Sequence, residues 1–504
     1  MTPQEAYKEL KDKVYEVTLL SSCESVLGWE ERTYMPRQGG ELRSQQLGLL
    51  AGLMHEKFTD PRIGELISIC EDSDLTKDPE SAEAANIREL RHDYDQRTKL
   101  PHDLVTEKAK TTSLAQGEWT EARKKRDFKA FQPWLEKVLN LVIREAECLG
   151  FEDEPYDALL DKYEPGAKTK EVEQVFTELR KDLVVLNEKI QGAKKKPDES
   201  IVRRVYNSDL QKIFGESVAA AMGFDFTAGR LDITTHPFCS GFGPGDTRIT
   251  TRYNPHRLND ALFGIMHEAG HALYEMGIDK KTHWGMPMGE STSLGIHESQ
   301  SRMWENQVGR SKDFWVYFLP QARRIFRDAL GDVSLDDFYG AINYVTPSYI
   351  RVEADEATYN LHIMLRFELE RAMVKGEIKP ADVASEWNRR FKNYLGIEVD
   401  HDANGCLQDV HWSAGLMGYF PTYALGNLYS AQFFAKARQD IPDLSEQIQR
   451  GDLSGLLAWL RTNIHRHGRR YRAADLGKKV TGQPLSHKPL IDYMTRKYGE
   501  IYGI

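Results

Sequence analysis

Apolar residues recur every three to four positions over most of the chain. Leu10, Val14, Val17, Leu20 and Val26 predict a helix over residues 4–35 that closes near Pro36. Leu42, Leu47, Leu50 and Leu53 predict another over 41–57. Several more fall within 81–149, one lined by Phe131, Trp134, Leu135, Val138 and Leu139, and the pattern continues through 170–193 and 436–463. Such stripes are core-facing by default. One region changes period. Residues 231–236 and 247–253 alternate apolar and polar, separated by the turn-rich Ser240-Gly241-Phe242-Gly243-Pro244-Gly245-Asp246. That predicts a small β-hairpin in a mainly α protein.

A well-punctuated helix follows the hairpin, over residues 255–276. Asn254 is a good N-cap and Pro255 suits the first helical position. Leu258, Leu262, Ile265, Met266, Ala269 and Leu273 give the apolar face, and Gly277 the stop. Inside it stands His267-Glu268-Ala269-Gly270-His271. Histidines four apart share one helical face, so both rings reach a single ion. Glu268 points to a neighbouring face, where it can hold a water beside that ion. This is the HExxH arrangement of zinc metallopeptidases, as against two surface histidines and an ordinary glutamate.

Catalytic zinc usually takes three protein ligands. The best third candidate is Glu298, on a further helix that Ser293 can cap and Gly309 can end. Glu290 and Glu275 are rivals. Glu275 continues the histidine face but would have to bend back along its own helix.

Composition narrows the classes. A net charge of −10 disfavours a nucleic-acid partner, and the lysines at 194–196 read as an exposed connection. Five scattered cysteines without a CxxC pair suggest free thiols in a reducing compartment. The N-terminal residues lack the apolar stretch of a signal peptide, and no run approaches the roughly 20 residues of a membrane span. A soluble cytoplasmic protein is expected. A strand beside the zinc helix would offer backbone groups to an extended peptide.

Six ordered blocks resemble the carboxypeptidase Taq family of metallocarboxypeptidases. They are His236-Pro237-Phe238; Asp246-Thr247-Arg248-Ile249-Thr250; the motif at 267–271; His297-Glu298-Ser299-Gln300; Ile350-Arg351-Val352-Glu353-Ala354-Asp355; and Gly405-Cys406-Leu407-Gln408-Asp409-Val410-His411-Trp412. The likeness extends over nearly the whole chain. It implies a nearly all-helical catalytic unit spanning residues 1–504, with two lobes around a deep groove, similar in outline to neurolysin-type oligopeptidases. It also implies a homodimer, one zinc ion per chain that cobalt can replace, Glu298 as third ligand, and removal of single residues from peptide C-termini with broad preference.

The residues suit that chemistry. Glu268 would accept a proton from water and pass it to the leaving amine. Arg351 would grip the substrate's terminal carboxylate with its planar fork, the plainer alternative being an ion pair with Glu353 or Asp355. Tyr419, Tyr423 and His411 are candidates to donate to the tetrahedral intermediate; analogy with related helical peptidases favours Tyr423 and His411, leaving Tyr419 to line the substrate site. His236 and Arg248 would shape the hairpin or the groove, the plainer alternatives being a structural role for His236 ahead of Pro237 and a pairing of Arg248 with Asp246. Competing activities on the same scaffold are an oligoendopeptidase and a dipeptidyl carboxypeptidase. A helical binding scaffold without catalysis is disfavoured by the intact Glu268.

Overall fold

A computed structural model describes residues 1–504. The protein is mainly helical, with one three-stranded sheet. The first helix runs Pro3–Thr33, started by a reciprocal cap in which the Thr2 hydroxyl accepts from Glu5 N and the Glu5 carboxylate from Thr2 N. It buries Ala6, Leu10, Val14 and Val17. The second runs Gly40–Phe58. Ala82–Thr98, His102–Lys125 and Phe128–Leu149 fill the next stretch, and Thr169–Gly192 follows. The last periodic segment divides into Pro421–Asp440, Leu444–Gln449 and Ser454–Asn463. No helix is long and apolar enough to cross a membrane.

The chain forms two compact units. The first comprises Met1–Thr98, Asp198–Ile342 and Phe433–Gln483; the second comprises Lys99–Pro197, Asn343–Gln432 and Pro484–Ile504.

The sheet belongs to the first unit and corrects the expected hairpin. Its strands are β1 (Gly229–Ile233), β2 (Cys239–Gly243) and β3 (Asp246–Thr251), in the order β1-β3-β2. The two alternating segments do pair, but in parallel, with Leu231 opposite Ile249. The hairpin partner of β3 is β2, which places Ser240 opposite Arg248. Gly241 and Gly243 break the alternation and made β2 read as a loop. They serve close packing: a Cβ on Gly241 would lie 2.9 Å from Glu275 Oε2. The hairpin turns through Pro244-Gly245, with Gly245 at φ 83°, a conformation glycine adopts freely after a proline.

The motif helix, Leu258–Gly277, packs on β3 and β2. It begins three residues later than its sequence signals suggested. Asn254 Oδ1 accepts from His256 N at 2.9 Å, and the Pro255 carbonyl accepts from Tyr206 N at 2.7 Å. Both residues therefore build a turn ahead of the helix. The predicted stripe from Leu258 to Leu273 is buried throughout. The helix after it, Leu294–Arg302, is capped as expected by Ser293, whose Oγ accepts from Ile296 N at 3.1 Å. It then widens into a π-helical segment, Met303–Gly309.

Candidate metal centre and a buried arginine cluster

Two helices of the first unit bring His267, His271 and Glu298 together. Glu298 Oε2 lies 3.6 Å from His267 Nε2 and 3.4 Å from His271 Nε2. The three donor atoms fall within 4.8 Å of one another. Ligands roughly 2.0–2.1 Å from one zinc ion at a tetrahedral angle stand about 3.3 Å apart, so the set fits a small divalent cation. Gly270 makes this possible. A Cβ there would lie 2.7 Å from Ser301 Cα and 2.8 Å from the Gln300 carbonyl oxygen. Only a glycine lets the second helix run close enough for Glu298 to reach the histidines.

The far side of each donor is occupied. His267 Nδ1 meets Glu305 Oε2 at 2.9 Å. His271 Nδ1 meets His297 Nδ1 at 2.5 Å, and His297 Nε2 meets Glu275 Oε1 at 2.7 Å. Arg302 donates to Glu298 Oε1 at 2.6 Å and to Glu305 Oε2 at 3.1 Å. This holds Oε1 aside and leaves Oε2 facing the imidazoles, although Ser301 Oγ also donates to Oε2 at 3.1 Å. Burial works against charge on both carboxylates. Arg302 and the nearby imidazoles outweigh it, holding Glu298 well below the usual range and bringing Glu305 down to about 2. Burial pushes His271 down to about 3, which keeps its imidazole neutral.

Glu268 differs from these carboxylates. It is buried, and makes neither a hydrogen bond nor an ion pair. Burial raises its carboxyl to about 7, the opposing pull of His267 notwithstanding. An unpaired buried carboxyl is costly, and such groups concentrate at reactive sites. The rival ligands are otherwise engaged: Glu290 is exposed and pairs with Arg469 at 3.2 Å, while Glu275 holds His297 and Lys280.

The second unit carries a different charged cluster. Arg351 is buried, in a single turn of 3-10 helix. Its partner is neither Glu353 nor Asp355. Nε and Nη2 donate to Asp409 Oδ1 at 3.1 and 2.8 Å, and Nη1 donates to the Tyr359 hydroxyl at 3.2 Å. Asp409 also takes Arg366 Nε at 2.7 Å through Oδ2. A guanidinium has five N–H groups, so these bonds leave Arg351 two, one on each terminal nitrogen. Phe420 and Tyr423 face the Arg351 guanidinium at 5.5 and 5.0 Å. His411 stacks near Tyr419 and Phe420, with ring centroids 5.5 and 4.4 Å away. Burial lowers it to about 4, so it is a neutral imidazole with one N–H to give. Tyr419 and Tyr423 are half-buried, 5.4 Å apart between centroids.

The two remaining candidates sit on the sheet side of the first unit. His236 is exposed in the β1–β2 connection. Arg248 pairs with Asp246 at 2.7 Å, its guanidinium 4.5 Å from the Trp29 ring and 4.7 Å from Phe242. These contacts fasten the sheet to the first helix and account for Arg248 without a substrate. Sequence reasoning passed over Glu305, Arg302, Arg366 and the roles of His297, Glu275 and Asp409. Helical spacing offered one usable signal: Glu298, Arg302 and Glu305 stand four and three apart.

The chain matches the family model described as carboxypeptidase Taq (M32) metallopeptidase over residues 9–498. It is 46% identical over 512 residues to thermostable carboxypeptidase 1 of Thermus thermophilus, across 100% of both chains. To carboxypeptidase 1 of Bacillus subtilis it is 38% identical over 497 residues, 98% of each. The crystal structure of an M32 carboxypeptidase from Deinococcus radiodurans R1 superimposes with a TM-score of 0.96 at 40% identity, covering 99% of this chain and 100% of that one.

Proposed function

The chain belongs to the carboxypeptidase Taq (M32) metallopeptidase family, and from that premise we propose a zinc carboxypeptidase that removes single residues from peptide C-termini with broad preference. The observation that carries this reading is the convergence of His267 Nε2, His271 Nε2 and Glu298 Oε2 beside an unpaired Glu268. Two imidazole nitrogens and one carboxylate suit zinc, and cobalt would be accepted in its place. When bound, the ion supplies Lewis acidity toward the scissile carbonyl and the attacking water.

The chain's own groups do the rest. Glu268 takes a proton from the attacking water and delivers it to the leaving amine. A carboxyl raised to about 7 is suited to both transfers near neutral pH. Arg351 offers its two remaining N–H groups to the substrate's terminal carboxylate, while Asp409 fixes the orientation of its fork. Tyr423 and His411 donate to the developing oxyanion, and Tyr419 lines the same aromatic wall. His236, on its exposed connection, contacts the peptide. Arg248 contributes by holding the strands. All five cysteines are free thiols, which suits a cytoplasmic enzyme. The working form is a homodimer acting on peptides with free C-termini.

Zinc-reconstituted protein should shorten an N-terminally blocked peptide one residue at a time, read by mass spectrometry, and should leave the C-terminally amidated version nearly intact. Dipeptides or internal fragments as first products would overturn the reading in favour of a dipeptidyl carboxypeptidase or an endopeptidase.

A further inference from the structure

We infer that His297 and Glu275 are positioning residues for the metal centre, forming a one-way hydrogen-bond relay that fixes which nitrogen of His271 is free to bind an ion. The inference rests on reading His267, His271 and Glu298 as metal ligands.

The direction follows from donor and acceptor chemistry together with the assignment of His271 Nε2 as a ligand, starting at the far end. Lys280 can only donate, and its ammonium contacts Glu275 Oε2. Oε2 is therefore an acceptor, and His297 and Lys280 together hold the Glu275 carboxyl far below its usual range in spite of burial. Its Oε1, 2.7 Å from His297 Nε2, takes the proton-bearing nitrogen of that ring. A ring that donates through Nε2 alone leaves Nδ1 bare, the state that a ligating Nε2 on His271 requires. His271 Nδ1, at 2.5 Å, must then donate to it. His271 in turn keeps a bare Nε2, the atom 3.4 Å from Glu298 Oε2. The reverse order would put a hydrogen on His271 Nε2 and turn a ligand into a donor.

Two helices share the task. Glu275 stands one turn beyond His271 on the motif helix, and His297 immediately precedes Glu298 on its neighbour. β2 supports the end of the relay, because Gly241 has no side chain where a Cβ would meet Glu275 Oε2 at 2.9 Å and Lys280 Nζ at 3.2 Å. The two histidine ligands are thus backed unequally. His267 has a carboxylate directly behind it, whereas His271 reaches one through a second ring. Groups of this kind typically change metal affinity by about 10–100-fold.

The test uses full-length protein, stripped and reloaded with cobalt(II). Affinity is read by competition with a chromophoric chelator, and ligand geometry from the visible cobalt spectrum. Glu275→Leu and His297→Leu should weaken cobalt binding by about 10–100-fold and alter the spectrum. His297→Gln, whose amide oxygen can still accept, should recover part of the loss. The melting temperature of metal-free His297→Leu should stay near the parent's, which separates positioning from general support of the fold, whereas Glu275→Leu also strands the buried Lys280 and should melt lower. Parent-like affinity and spectrum in both leucine variants would overturn the relay. So would an affinity loss in His297→Leu matched by a collapse of metal-free stability and not relieved by His297→Gln. A parent that takes up no cobalt would instead overturn the ligand assignment itself.

Discussion

The histidine cluster of the first unit and the arginine cluster of the second are both buried and both charged, but they are unbalanced in opposite senses. Around the histidines, Glu298, Glu305 and Glu275 each pair with Arg302, Arg310 or Lys280, and Glu268 has no arginine or lysine partner. Around Arg351 there are two guanidiniums and one aspartate. Buried charge without a partner is costly, so each cluster is completed by what it lacks. The first calls for a cation and the second for an anion. On the proposed reading, a metal ion would supply the first and a peptide's terminal carboxylate the second.

The comparison breaks most visibly at Glu268. Glu268→Gln removes the lone uncompensated carboxyl yet leaves every donor atom in place. Turnover should fall by about 10²–10⁴-fold, while zinc content by atomic absorption stays at the parent level. Normal turnover would mean that the charge excess has no catalytic purpose.

A smaller effect is expected on the other side. Arg351→Ala should lower kcat/KM for free-acid peptides by roughly 10–100-fold, the scale of one or two charge-assisted hydrogen bonds. Residual cleavage of an amidated peptide should hardly move, so the selectivity between the two substrates collapses. Equal losses on both would point to local unfolding around Asp409.

The finest test sharpens the charge count. Glu370 lies buried near Arg366 and accepts from Tyr156 Oη at 2.7 Å, Trp412 Nε1 at 2.8 Å and Gly418 N at 3.0 Å. Burial pushes it up to about 7 in spite of these bonds. Near pH 6 it is neutral, and the arginine excess stands. The folded pKa exceeds the unfolded one, so the contribution of Glu370 to stability is greatest at low pH and declines as pH rises through about 7. The gap in melting temperature between parent and Glu370→Gln should therefore be wider at pH 5 than at pH 8. A gap that widens with pH would show an ionised Glu370 and cancel the excess.

The two clusters also differ in how far they could be read from residues alone. Helical spacing displays a metal site because both histidines lie on one helix, and the apolar stripe from Leu258 to Leu273 announces that helix. The arginine cluster gives no such sign. Arg351, Arg366 and Asp409 come from three separate segments, and a pairing across tens of residues leaves no local pattern. The parallel pairing of β1 with β3 was hidden for a related reason: alternation tells which residues face which side, not which neighbour lies alongside. The start of the motif helix was misplaced because Asn254 and Pro255 suit a turn as well as a cap.

The third and fourth letters of the motif are usually written as free choices, yet here one of them acts as a spacer gauge. With alanine in place of Gly270, the added methyl would collide with Ser301 and Gln300 backbone atoms, and the carboxylate arm would be levered away from the imidazole pair. Anyone transplanting this centre into a designed bundle would have to copy the bare α-carbon along with the three ligands.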